Sequence, residues 1–214
     1  MNSLETFSSD LRHILLKAGR TRSFGEDQEI FAGGETAGFL PIVISGRIKM
    51  LHFLEPGKEV IIGIFEPGEM FAVPAVFDGG VYPATAIAME NSELLLIERS
   101  RFLELLRESS EFSFAVISWM SAMLRDKTAT IQNLATASPD HRVANVLLKL
   151  IDRESHSQPV RINLRRQDIA RMAGLTTETT IRVIRKLAER GLLRIDHGKI
   201  FVGDVTGLKR LAES

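Results

Sequence analysis

Glu178 and Arg182 stand one helical turn apart in residues 164–192, and Thr177, Ile181 and Arg185 fall on the same face of a 3.6-residue period. A carboxylate and a guanidinium carried together near a helix N-terminus suit the edges of base pairs in a major groove. Arginine makes a bidentate contact to guanine, and glutamate accepts from the cytosine amine. The alternative is an i,i+4 Glu–Arg ion pair on a solvated helix, worth only a few tenths of a kcal/mol. The opposite face, Thr180, Val183, Ile184 and Leu187, is suited to burial. Thr179, Arg185 and Lys186 flank the reading face as candidates for phosphate contacts, which position a protein on DNA without specifying sequence.

These side chains need a fixed support. A first helix is predicted over residues 166–172, burying Ile169 and Ala170. Gly174 ends it in a left-handed conformation, Leu175 plugs the turn, and Thr176 caps the second helix. That arrangement is a helix-turn-helix. Residues 192–202, with Asp196-His-Gly-Lys199 in their middle, read as a β-hairpin, so the motif is winged.

Charge agrees with this reading. The chain is neutral overall, with 27 Lys and Arg against 27 Asp and Glu, but residues 1–138 hold 12 basic and 18 acidic residues while residues 139–214 hold 15 and 9. A basic module beside an acidic one points either to a polyanionic partner, double-stranded DNA given the helix-turn-helix, or to basic residues that merely solvate helix faces.

Upstream, residues 23–98 carry Gly and Pro at the spacing of an antiparallel sandwich or barrel, with strands expected at 42–45, 47–54, 59–65, 84–90 and 93–97 and a tight turn at Pro56-Gly57. From Arg101 the period becomes helical. Ile117, Met120, Leu124, Lys127, Ile131 and Leu134 form a heptad-like seam that a second copy of the chain would cover, while Trp119 lies off the seam and packs back on the β-domain. Ser138-Pro139-Asp140 breaks the helix, with Asp140 expected to cap the next one, an amphipathic helix over 140–153. The expected fold class is α+β: a β-roll sensor domain over 1–110, a central dimerisation helix and hinge over 111–138, and a winged helix-turn-helix over 139–214.

Other functions are excluded by what the chain lacks. It has no cysteine, hence no disulfide framework, zinc–thiolate site, iron–sulfur cluster or catalytic thiol. The longest uncharged run is thirteen residues, 112–124, too short for a membrane span. No basic-then-apolar leader opens the sequence, so a cytoplasmic protein is expected. A metal-dependent enzyme on a β-barrel would need clustered ligands. His52 with Glu55 or Glu59 is the only nearby set and has no second histidine, and no metal site or catalytic motif is expected. A non-enzymatic rival is a signalling subunit that binds a ligand and acts through a protein partner.

Taken in order, Ile44-Ser-Gly-Arg-Ile-Lys49, Glu66-Pro-Gly-Glu-Met-Phe71, Gln132-Asn-Leu-Ala135, Asp140-His-Arg-Val-Ala144 and the Glu178…Arg182 helix resemble the CRP/FNR transcription regulators over nearly the whole chain. The resemblance implies a homodimer that reads a TGA-type half-site in a two-fold symmetric operator, with Glu178 and Arg182 on the G·C pair. It also implies RNA polymerase as a partner and a small-molecule or gas effector in the β-roll. Ile181 stands where fumarate–nitrate-type relatives carry serine, so an apolar contact to a thymine methyl replaces a hydroxyl contact. Around the implied effector pocket Gly68-Glu69 survives, but the Arg-Ser pair that holds a cyclic phosphate is replaced by Tyr82-Pro83, and the central helix presents Lys127-Thr128 to the pocket. A phenol and an imide do not neutralise a phosphate as guanidinium does, so the usual cyclic AMP mode is not expected. Haem stays open, with His13 and His52 the two histidines of the sensor half.

Overall fold

A computed structural model describes residues 8–55, 58–136, 138–153 and 159–213; the side chains of 54, 55, 58, 129–136, 152, 153 and 213 are not included in the description. The chain divides into two compact units, Met1–Ala122 and Met123–Ser214.

The first unit is a β-roll of two antiparallel sheets. One contains β1 (Arg20–Phe24), β7 (Ser92–Glu98) and β3 (Phe39–Ser45) in that order. The other runs β2 (Glu29–Phe31), β6 (Thr85–Ala88), β4 (Ile48–Glu55), β5 (Lys58–Phe65). Strands β3 to β7 match the expected positions, with β6 shortened to four residues. Pro56-Gly57 lies outside the described residues. The two short strands β1 and β2 were not anticipated: β1 exposes four of its five residues, so no alternation marks it. Around the sheets lie α1 (Ser9–Ala18), α2 (Val73–Asp78) and α3 (Arg99–Glu108). Aromatic rings pack together within a largely aliphatic interior. Phe31 stacks on Tyr82 at 3.6 Å between ring centroids, and Phe65 stacks on Phe71 at 4.8 Å.

Helix α4 (Ser110–Thr136) begins where the Ser109 hydroxyl accepts the Phe112 N–H. Trp119 is half-buried against the core of the first unit, as its off-seam position predicted.

In the second unit α5 (Pro139–Arg153) buries Val143, Ala144, Leu147 and Leu150. Its start differs from expectation: Pro139 leads the helix, and the Ser138 hydroxyl, not Asp140, accepts the His141 N–H. Helices α6 (Arg166–Ala173), α7 (Thr177–Glu189) and α8 (Val205–Glu213) complete the helical layer. A three-stranded sheet, β8 (Val160–Ile162), β10 (Lys199–Val202) and β9 (Leu193–Asp196), flanks it. The β9–β10 turn carries His197 and Gly198 at φ 45° and 75°. Two consecutive positive φ values suit the right-handed twist of a two-residue hairpin, which accounts for the glycine.

Candidate nucleic-acid interface

The α6–α7 corner is built as its residues require. Gly174 closes α6 at φ 62°, ψ 39°, and its N–H returns to Ala170 O. Leu175 is half-buried against the core of the second unit. Thr176 caps α7 through its hydroxyl, which accepts Thr179 N–H at 3.2 Å.

On α7 the two faces sort as the period demands. Thr180, Val183, Ile184 and Leu187 are buried, and no hydrogen-bond partner is seen for the Thr180 hydroxyl among the described residues. Glu178, Arg182 and Arg185 are exposed, with Thr177, Thr179 and Ile181 half-exposed beside them. Among the described residues no ion pair engages Glu178, Arg182 or Arg185, so the Glu178–Arg182 pair of a merely solvated helix is not formed. A carboxylate and two guanidinium groups thus stand open on one rigid face, with the fork geometry that guanine and phosphate both accept.

Lys186 departs from its expected role as a free phosphate contact. Its ammonium is in direct contact with the Asp140 carboxylate in the first turn of α5. Arg166 was not singled out by its sequence position. Its guanidinium donates to Gly198 O at 2.8 Å and so ties α6 to the tip of the wing. No local signal marks either contact, since the partners lie 46 and 32 residues away.

The Crp-like helix-turn-helix domain family matches residues 141–211, and the cyclic nucleotide-binding domain family matches residues 21–109. The regulator Vfr of Pseudomonas aeruginosa, described as cAMP-activated, is 30% identical over 206 residues, covering 92% of this chain and 96% of that protein. The chain belongs to the CRP/FNR family of transcription regulators. The cyclic AMP receptor protein of Thermus thermophilus is 29% identical over 199 residues, covering 93% of this chain and 91% of that protein. Among solved structures, a CRP/FNR-family regulator from Thermus thermophilus superposes with TM-score 0.77 at 26% identity, covering 91% of this chain and 99% of that one. A variant of CooA from Carboxydothermus hydrogenoformans shares the fold at TM-score 0.82 and 21% identity, covering 99% and 96%. Vfr and the Thermus thermophilus CRP/FNR-family protein are transcriptional regulators, in keeping with the rejection of catalysis. Among the described residues no helix is long and apolar enough to cross a membrane.

The residues of the implied effector pocket are largely engaged within the CRP/FNR fold itself. Gly68 sits at φ 88° and donates its N–H to Val43 O. The Glu69 carboxylate accepts Glu66 N–H at 2.8 Å across its own turn. Tyr82 is buried: its phenol donates to Phe39 O at 2.8 Å and accepts Phe39 N–H at 3.2 Å, while its ring lies on Phe31. Tyr82 is therefore a core residue, not an open pocket wall. The Thr128 hydroxyl bonds back to Leu124 O within α4. Lys127 is exposed as a whole, so the desolvation that lowers its ammonium from the usual lysine value acts on a group still in reach of water; Asp126 opposes that shift and Lys149 adds to it. Of the histidines considered for haem, His52 meets Pro83 O through Nδ1 at 3.1 Å, and His13 is exposed. Among the described residues no cluster of three or more potential metal ligands exists.

Burial pushes the Tyr82 phenol up to about 12, with its backbone bond to Phe39 opposing the shift and the Glu35 charge adding to it. A raised phenol pKa stabilises the fold in full below the unfolded value near 10, and the unfolded chain ionises first as pH rises. Stability should fall from about pH 10 to about pH 12, and Tyr82→Phe should remove that component. Tyr82 is the only tyrosine, so phenolate absorbance titrates this group alone. A midpoint near the free value would show the phenol to be solvated.

Along the expected seam, Ile117 is 58% exposed and Leu124 68%, with Met120 also exposed. The side chains of Ile131 and Leu134 lie outside the described residues. Phe114, not included in the expected seam, is 70% exposed and falls three residues before Ile117 in the same period.

Proposed function

We propose that this CRP/FNR regulator acts as a homodimer that reads a two-fold symmetric, TGA-type operator under the control of an effector bound by the β-roll. The observation that carries the reading is α7: Glu178 and Arg182 stand exposed and, among the described residues, without an ion pair, while Val183, Ile184 and Leu187 lock the opposite face into the core. Arg182 and Glu178 address one G·C pair, Ile181 meets a thymine methyl, Thr177 sits at the groove edge, and Thr179 and Arg185 hold phosphates. The exposed Phe114, Ile117, Met120 and Leu124 supply the dimer seam, which would set two recognition helices about 34 Å apart.

The effector is not cyclic AMP held in the manner of the cAMP-activated relatives. The position of the phosphate-binding pair carries Tyr82-Pro83, and the Tyr82 phenol is engaged by the Phe39 backbone. The sequence has no cysteine, so it offers no thiolate to an iron–sulfur cluster. A visible absorption spectrum decides between haem and a colourless effector, and native mass spectrometry of the purified protein detects a retained small molecule.

The reading is tested by equilibrium binding to a TGA palindrome and to its scrambled counterpart across a salt series. A preference for the palindrome, with log K falling linearly in log salt, is expected. Equal affinity for both duplexes with a shallow salt slope would overturn it.

A further inference from the structure

Two neighbouring cations on α7 have different fates. Arg185 is exposed with no ion pair among the described residues, whereas Lys186 is joined to Asp140. We propose that Asp140 withholds Lys186 from the phosphate array, so that the pair positions the recognition helix on α5 instead of adding sequence-independent affinity. The proposal rests on the DNA-reading function above.

Both ends of the contact stand on packed backbone. One to two turns beyond Asp140, Val143, Ala144 and Leu147 are buried, and Val183, Ile184 and Leu187 are buried around Lys186; α5 and α7 contribute to one core. The Asp140 side chain is only 20% exposed and sits in the first turn of α5. Lys186 is 57% exposed, so the pair adds little to stability, and its consequence lies in where the charge is directed. Toward a polyanion the pair presents a net charge of zero. A phosphate drawn to Lys186 would also approach the carboxylate. Removing that carboxylate leaves an ammonium one residue from Arg185, available to any DNA regardless of sequence.

The measurement is the slope of log K against log salt for the full-length chain on the TGA palindrome and on the scrambled duplex. Each phosphate neutralised contributes about 0.9 to the slope. Asp140→Asn should steepen it by up to about 0.9 per protomer, tighten binding to the scrambled duplex, and lower the ratio between the two affinities. Adding Lys186→Met to that variant should restore the original slope, and Asp140→Glu, which keeps the charge, should leave it near the original. A merely structural role for Asp140 would lower the melting temperature without moving the slope, and that result overturns the proposal. So does a flattened slope for Lys186→Met in the otherwise unaltered chain, because Lys186 would then already reach phosphate. If the unaltered chain shows no preference between the duplexes, the DNA-reading function fails and this proposal falls with it. If that preference stands and only the slopes refuse to change, this proposal alone fails.

Discussion

Arg182→Ala should weaken binding to the TGA palindrome by about 1–3 kcal/mol, roughly 5- to 150-fold, and relax selectivity at a single base pair. The direction follows from the exposed guanidinium on α7, which among the described residues has no intramolecular partner to be broken before it meets a base. Truncation therefore removes a contact to DNA without leaving a buried charge orphaned. Competition against palindromes substituted at each position gives the readout: discrimination should collapse at the guanine and hold elsewhere. Uniform weakening on every sequence, with the salt slope reduced by about one, would instead make Arg182 a phosphate contact.

Ile184→Ala should destabilise the second unit by about 2–5 kcal/mol, because it opens a cavity on the wholly buried face of the recognition helix. The two units have separate cores, and the only tryptophan, Trp119, packs against the first. Trp119 fluorescence should keep its unfolding transition while far-ultraviolet circular dichroism acquires an earlier one from loss of α5 to α8. Transitions that shift together would show that the units unfold as one.

The helix-turn-helix was legible because its determinants are local. A left-handed glycine at 174, a threonine cap at 176 and a buried 180/183/184/187 stripe all act within two turns, and the structure has each in place. The wing was legible for the same reason, from the His197-Gly198 turn. The β-roll was legible in strands β3 to β7 and not in β1, whose edge position leaves nearly all of it exposed, nor in β2, three residues long. Contacts over long sequence distance left no trace in the pattern. Nothing local tells that Tyr82 turns inward onto Phe31 and Phe39, that Asp140 meets Lys186, or that Arg166 holds Gly198. The assignment of Asp140 as a cap failed because Ser138, two residues earlier, supplies the hydroxyl and Pro139 fits the first helical position. The effector is the least legible part, since no residue type or spacing in the β-roll names a ligand, and Tyr82, at the implied pocket, packs on Phe31 and bonds to the Phe39 backbone.

Selection of bound duplexes from a random pool, using the full-length protein with no sequence supplied in advance, asks most directly whether α7 reads DNA. The enriched sequences should be two-fold symmetric, carry TGA in each half-site, and place the half-site centres about one helical turn apart. Enrichment without a dyad, or no enrichment at all, would contradict the assignment of Glu178 and Arg182 as the reading pair.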